Sequence, residues 1–141
     1  MAIWRGLLSF LLLALGGGYA IALLVMENCT QAAADSLSFG WAVLASNIVG
    51  FFLLRREYST ADILSVALLP MVAAVWYSWF AVSFAAAWLT SDVSSCEALT
   101  GLPFEADGRE AMHVTIWIGV ALSFWLCLAY AILRARGING R

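Results

Sequence analysis

The longest uncharged stretch of this chain reads ILSVALLPMVAAVWYSWFAVSFAAAWL, from Ile63 to Leu89. Its 27 residues are bounded by Asp62 on one side and by Thr90 and Asp92 on the other. A single small domain has too little interior to bury such a run, whereas about 20 apolar helical residues cross the hydrocarbon of a bilayer. We therefore expect a transmembrane helix here, and the rest of the chain is interpreted around it.

The composition places the whole chain in the membrane class. Of its 141 residues, 64% are hydrophobic and 11% are charged, whereas soluble domains are about 45–50% apolar and about 25% charged. The formal net charge of −2, without a basic patch that alternates with aromatic residues, gives no reason to expect a nucleic-acid partner. The length suits one small domain, so residues 1–141 are treated as a single transmembrane domain.

Three further apolar segments accompany the central one. The first, Gly6 to Met26, has 21 residues without a charge. Signal-peptide cores contain about 7–15 apolar residues, so an uncleaved helix is favoured over a signal peptide. The expected fold is all-α, an integral membrane four-helix bundle with helices near residues 4–26, 37–54, 61–89 and 112–134.

The arginines predict the orientation of this bundle. Four spans place both termini on one side, and that side receives six of the seven basic residues, all of them arginine: Arg5, Arg55, Arg56, Arg134, Arg136 and Arg141. Because cytoplasmic segments carry the excess of positive charge, we expect both termini in the cytoplasm. The exclusive use of arginine and the abundance of alanine point to a GC-rich bacterial genome, which predicts a bacterial inner (plasma) membrane.

The opposite side is expected to be acidic. Its longest segment, residues 90–112 between the third and fourth helices, carries Arg109 together with most of the acids on that side. Acidic loops can attract cations, but the simpler interpretation is that they keep the loops solvated and outside the membrane. Tryptophan prefers the membrane interfaces, and four tryptophans are expected there: Trp4 on the inner side, and Trp41, Trp88 and Trp117 on the outer side.

Two of the three cysteines fall in the predicted outer loops. Cys29 lies in the first loop and Cys96 in the second, on the oxidising side of the membrane, which suggests a structural disulfide. It would close a loop of 68 residues, for which the chain-entropy relation gives roughly 4 kcal/mol of stabilisation. The absence of a Cys-x-x-Cys pair argues against a redox role, and Cys127, deep in the fourth helix, is expected to pack as a small apolar residue.

The only histidine, His113, follows Glu110 with the Glu-x-x-His spacing that places two metal ligands on one helix face. Di-iron bundles need two such motifs and further carboxylates, and a haem held by two histidines is impossible within one chain. An interfacial histidine near the start of the fourth helix is therefore the simpler interpretation, with Glu110 and His113 kept as ligand candidates. No cofactor is expected.

Small and polar residues gather near the expected middle of the membrane. Gly16, Gly17 and Gly18 are consecutive, and Gly18 shares a helix face with Ala14 and Ala22. Such residues allow close helix packing, within the chain or between subunits. Asn47 and Tyr77 are expected to find protein partners, because lipid offers none, and Pro70 is expected to kink the third helix. A lipid tail, quinone or pigment beside these residues is the alternative to simple helix packing.

The sequence contains no catalytic set, and no acid or base falls inside a predicted span, which argues against proton pumping. The first hypothesis is a non-enzymatic subunit or assembly factor of a larger membrane complex, with the lipid bilayer and other subunits, or further copies of itself, as partners. The second is a small oligomeric carrier, flippase or channel, suggested by the glycines, Pro70 and the acidic loops. The third and weakest is a haem- or quinone-binding redox protein that uses His113.

Overall fold

The computed structural model describes residues 2–26, 33–54, 58–92, 94, 97 and 110–139. Within these residues the chain is helical, with four defined helices, which confirms the all-α class. The helices are α1 (Ala2–Met26), α2 (Ala33–Leu53), α3 (Thr60–Thr90) and α4 (Glu110–Asn139).

Three of these helices are long and apolar enough to cross a membrane. The stretches that qualify are Ile3–Ile21 in α1, Thr60–Thr90 in α3 and Val114–Gly137 in α4. In α2, the apolar stretch within the described residues is shorter, Gly40–Leu53. The protein is therefore a helical membrane protein.

All four helices are longer than the sequence predicted, and the difference is largest for α2 and α4. α2 begins at Ala33 rather than at residue 37, so Asp35 belongs to the helix and not to the preceding loop. α4 continues to Asn139, five residues beyond the predicted end, and Arg136 occupies its last turn, where a cation is favourable because the helix dipole is negative there.

The start of α3 is stabilised by a capping box that the sequence interpretation missed. The Ser59 hydroxyl accepts a hydrogen bond from the Asp62 N–H at 3.2 Å, and the Asp62 carboxylate accepts one from the Ser59 N–H at 3.0 Å. These bonds satisfy amide groups that have no partner inside the helix. α3 then runs through Pro70 as one helix to Thr90, and the kink expected at Pro70 stays a prediction.

The four helices form a square in which α1 and α4 both contact α2 and α3. α1 runs antiparallel to α2, because Ser9 bonds Gly50 while Gly16 faces Ser46. α3 runs antiparallel to α4, because Tyr77 packs on Phe124 and Phe84 belongs to one cluster with Val114. α1 and α3 are parallel neighbours, because Gly6 faces Tyr58 and Gly17 faces Ala73. α2 and α4 are also parallel, because Gly40 faces Ile116 and Asn47 bonds Ser123.

This alternation brings the starts of α1 and α3 together with the ends of α2 and α4. We call this the basic end, because Arg5, Arg134 and Arg136 lie there among the described residues. The remaining helix termini lie at the opposite end. The arrangement has the up-and-down order expected of four successive spans.

The core lies along one stripe of each helix. In α3 the buried residues recur every three or four positions, which is the helical period: Ile63, Ala67, Pro70, Ala74, Tyr77, Ala81 and Phe84. The outward face of α3 is equally apolar, with Leu68, Val72 and Trp79 exposed. A helix that is apolar on all faces is suited to a lipid environment.

Candidate functional site

A polar layer crosses the centre of the bundle. Asn47 of α2 is only 1% exposed, and its Nδ2 donates to the Ser123 Oγ of α4 at 3.1 Å and to the Val120 carbonyl at 3.4 Å. The Ser123 hydroxyl also donates to the Val120 carbonyl, at 2.8 Å. The prediction that Asn47 faces protein rather than lipid is confirmed.

Two polar atoms of this layer have no hydrogen-bond partner among the described residues. They are the Oδ1 of Asn47 and the Oη of Tyr77, both fully buried. The Asn47 side chain lies close to the Tyr77 hydroxyl, but the two groups do not form a hydrogen bond. A hydroxyl donor and an amide acceptor are complementary, so these two groups are chemically suited to a hydrogen bond between α2 and α3.

Aromatic side chains fill the space around the polar layer. The Phe124 ring meets Phe51, Tyr77 and Trp125 edge to face, with centroid separations of 5.2, 6.5 and 5.4 Å. The Trp125 indole N–H donates to the Ser78 hydroxyl of α3 at 2.9 Å. The layer therefore links α2, α3 and α4, and at this depth the bundle interior is packed with side chains.

The three consecutive glycines of α1 lie in three different environments. A methyl group on Gly16 would stand 3.1 Å from the Ser46 Cβ of α2, and one on Gly17 would stand 3.0 Å from the Ala73 Cβ of α3. A methyl group on Gly18 would meet nothing within 4 Å. Gly16 and Gly17 therefore permit close packing inside the chain, whereas Gly18 faces outward.

Gly18 lies in an outward-opening groove of about 350 Å³ between α1 and α3, which we call the α1/α3 groove. Its lining residues are Ala14, Gly18, Ile21, Leu69, Pro70, Val72, Ala73 and Trp76. Pro70 is fully buried, and the half-exposed Trp76 ring forms one wall. The sequence had grouped these glycines as one notch, but only Gly18 opens to the surface.

The other side of the square, between α2 and α4, carries two more grooves. The one at the basic end has a volume of about 270 Å³ and contains Cys127 and Arg134. The one toward the opposite end has a volume of about 320 Å³ and lies beside Trp41 and Gly119. Neither was predicted, because each groove is formed by residues far apart in the sequence.

The predicted cysteines and ligand candidates lie largely outside the residues that the structure describes. Cys29 and Cys96 lie outside the described residues, so their disulfide stays a prediction. Glu110 begins α4 and His113 follows within its first turn, but their side chains are also outside what is described. Within the described residues, no group of three or more His, Cys, Asp or Glu side chains is placed to hold a metal ion.

One of the four tryptophans expected at the interfaces is buried among the helices. Trp117 was expected in the outer interfacial belt, but its ring is only 2% exposed and packs in the core. Trp4, Trp41 and Trp88 are 74%, 61% and 40% exposed, so these rings face outward. The difference arises because Trp117 lies on the stripe of α4 that faces the other helices. The sequence does not reveal this orientation, because the neighbouring residues are apolar as well.

Charged side chains in the described part of the chain lie at helix ends or beyond them: Arg5, Asp62, Asp92, Glu97, Arg134 and Arg136. The centre of the bundle therefore offers neutral hydrogen-bonding groups and aromatic surface, and its outer faces offer apolar grooves. No protein-family model, curated protein or solved structure matches this chain.

Proposed function

We propose that the chain is a non-enzymatic subunit or assembly factor of a larger membrane complex. We further propose that the α1/α3 groove and the outward surface of α3 beside it, together called the α1/α3 face, dock a transmembrane helix of another protein. The observation that carries this proposal is the pair Trp76 and Trp79. Their side chains are 50% and 75% exposed near the middle of α3. Aromatic residues of this kind are enriched at the energetic centres of protein interfaces.

The depth of these two tryptophans favours a protein partner over lipid. α3 has 31 residues, which corresponds to a length of about 46 Å, whereas the hydrocarbon layer is about 30 Å thick. Both tryptophans lie within four residues of the helix midpoint at residue 75, far from either interface. Neither indole N–H donates a hydrogen bond within the described part of the chain, and an unpaired donor in hydrocarbon is unfavourable.

The groove that Trp76 lines has the form that a partner helix requires. Its small residues, Ala14, Gly18 and Ala73, leave room for a second helix backbone to approach. A lipid tail would also fill this space, but it has no acceptor for the indole N–H groups. A polar or carbonyl group on a neighbouring helix would supply one.

The non-enzymatic part of the proposal is supported by the placement of charge. The described charged groups lie at helix ends or beyond them, and the buried polar groups Ser9 and Asn47 bond other helices of the bundle. Proton relays and transport pathways usually place ionisable groups inside the spans. Hydrogen bonds of this kind instead serve to hold helices together.

Native mass spectrometry of the protein extracted from its own membranes in mild detergent tests the proposal. We expect a stoichiometric partner with the unaltered chain, and a loss of at least about tenfold in that complex for Trp79→Ala, as is usual for an interface hot spot. Gly18→Leu, which fills the groove, should have the same effect. Trp41→Ala is the matched control, because it removes a tryptophan that is also largely exposed, at 61%, from the other side of the bundle.

Other outcomes separate the alternatives. A homo-oligomer without a foreign subunit would contradict the proposal and favour the small carrier, flippase or channel. A coloured protein with bound haem or quinone would favour the redox alternative. A partner retained equally by Trp79→Ala, Gly18→Leu and Trp41→Ala would move the interface away from the α1/α3 face.

A further inference from the structure

We propose that the groove between α2 and α4 at the basic end binds an anionic phospholipid, with an acyl chain in the groove and the headgroup phosphate on Arg134. This site is separate from the α1/α3 face and does not depend on the function proposed above. The groove joins an apolar channel to a single cationic side chain, which is the chemistry of an anionic lipid.

The walls of this groove match an acyl chain. Its floor contains the buried side chains of Phe51, Leu54 and Ala131, which are 4–6% exposed. Its rim is formed by side chains that point outward, Phe52, Leu126 and Tyr130, all 65–66% exposed. The groove is therefore open to the surrounding lipid along its length, and a chain can enter from the side.

Arg134 is the cationic residue among those that line the groove. It is half-buried, and none of the described acidic side chains, Asp62, Asp92 and Glu97, forms an ion pair with it. A guanidinium beside apolar walls that has no ion pair among the described residues is suited to a phosphate, which it binds through two parallel N–H bonds. Tyr130, one turn earlier on α4, presents a phenol on the same groove as a further hydrogen-bond donor.

The position of the groove agrees with such a ligand. Arg134 lies near the end of α4, so the headgroup would stand at the membrane surface while the acyl chain extends toward Ile48 and Leu126. Arg136 and Arg5 add positive charge at the same end of the bundle. Basic pockets between transmembrane helices are known to select anionic headgroups. A partner helix or a zwitterionic lipid would use the apolar walls but would gain little from Arg134.

The test is native mass spectrometry of the full chain with added phosphatidylglycerol or phosphatidylcholine of identical acyl chains. We expect the unaltered protein to retain phosphatidylglycerol preferentially, and Arg134→Gln to weaken that binding by about tenfold, because a charge-assisted phosphate contact is lost. Arg136→Gln is the matched control: it removes an exposed arginine two residues away that does not line the groove.

The acyl-chain part of the site has its own readout. Cys127 lines the groove, so bound phosphatidylglycerol should slow its alkylation by an apolar maleimide, measured on the Cys127 peptide by mass spectrometry. Cys127→Phe should exclude both lipids, and a melting curve checks that this variant is folded. The protection experiment uses the unaltered chain and does not depend on that variant.

Three results would overturn the proposal. The first is equal retention of phosphatidylglycerol by the unaltered chain and Arg134→Gln, and the second is equal retention of the two lipids by the unaltered chain. The third is displacement of phosphatidylglycerol by millimolar inorganic phosphate without protection of Cys127, which would assign a free-anion site to Arg134.

Discussion

Asn47 shows what a single polar residue does in the middle of an apolar bundle. Its amide nitrogen bonds α4 through Ser123 and Val120, and its amide oxygen, like the Tyr77 hydroxyl, is buried without a hydrogen-bond partner among the described residues. Ser9, the other buried polar residue described, has a simpler role, since its hydroxyl donates to the Gly50 carbonyl at 2.8 Å. The hydrogen bonds of Asn47 therefore fix the position of α2 along α4.

Replacing Asn47 by leucine should destabilise the protein. Asn47→Leu removes the bonds to α4 and leaves the Tyr77 hydroxyl without any complementary group, at a cost of about 1 kcal/mol. The measurement is thermal unfolding in detergent, with Ala45→Leu as the control that adds the same side chain at an exposed position of α2. An unchanged or higher melting temperature for Asn47→Leu would contradict this prediction.

At the scale of one element, α1 illustrates how a run of glycines is divided by helix geometry. Successive residues of a helix point about 100° apart, so Gly16 faces α2, Gly17 faces α3 and Gly18 faces outward. The sequence identifies the run as a packing feature, but not which of its members touches what. That distinction sets the effect of each substitution.

The prediction for α1 is that Gly17→Ala is less stable than Gly18→Ala. Both variants gain the same helix propensity, but a methyl group on Gly17 would stand 3.0 Å from the Ala73 Cβ, which is fixed to the α3 backbone and cannot rotate away. Overpacking of this kind costs about 1–3 kcal/mol. Thermal unfolding of the two proteins side by side is the measurement, and equal stabilities would show that α1 and α3 are less closely packed than described.

At the scale of the whole molecule, the helix alternation collects the described arginines at one end of the square. The same alternation makes α1 and α3 parallel neighbours, so that the last residues of these two helices, Met26 and Thr90, lie at the opposite end. The arginine distribution predicts that the basic end is cytoplasmic. Two further predictions follow from this arrangement, one for the orientation and one for the cysteines.

The orientation is tested by impermeant maleimide labelling of single cysteines placed in a cysteine-free chain. With both termini in the cytoplasm, Asp92→Cys should react from outside the cell and Glu57→Cys should react only after the membrane is opened. The reason is that Glu57 adjoins Arg55 and Arg56, and segments rich in positive charge stay on the cytoplasmic side of the membrane. Labelling of Glu57→Cys in intact cells would reverse the orientation.

The cysteine prediction is a Cys29–Cys96 disulfide at the end opposite the basic end. Cys29 follows the end of α1 by three residues and Cys96 follows the end of α3 by six. Because α1 and α3 are adjacent and parallel, these segments start from neighbouring points, and a disulfide needs Cα atoms within about 7 Å. On a non-reducing gel the oxidised protein should migrate faster than Cys96→Ser, and both should migrate alike after reduction. A count of three free thiols in the unaltered protein would exclude the bond.

The sequence by itself determined the features that depend on the energy of a residue in lipid. An uncharged run as long as Ile63 to Leu89 must be shielded from water, and a polar residue such as Asn47 must be bonded inside the bundle because lipid offers no partner. These requirements hold for any arrangement of the helices. They account for the class of the fold, the helices near their observed positions and the burial of Asn47.

Only the tertiary structure decided how each helix is rotated and which helices are neighbours. Trp117 is buried although it was expected at an interface, and Trp79 is exposed near the middle of α3. The sequence around these two residues does not show which way their side chains point. These helices are apolar on every face, so a rotated helix would bury an equally hydrophobic surface. The groove at Arg134 likewise exists only because α2 and α4 are adjacent, a consequence of side-chain packing across the whole bundle.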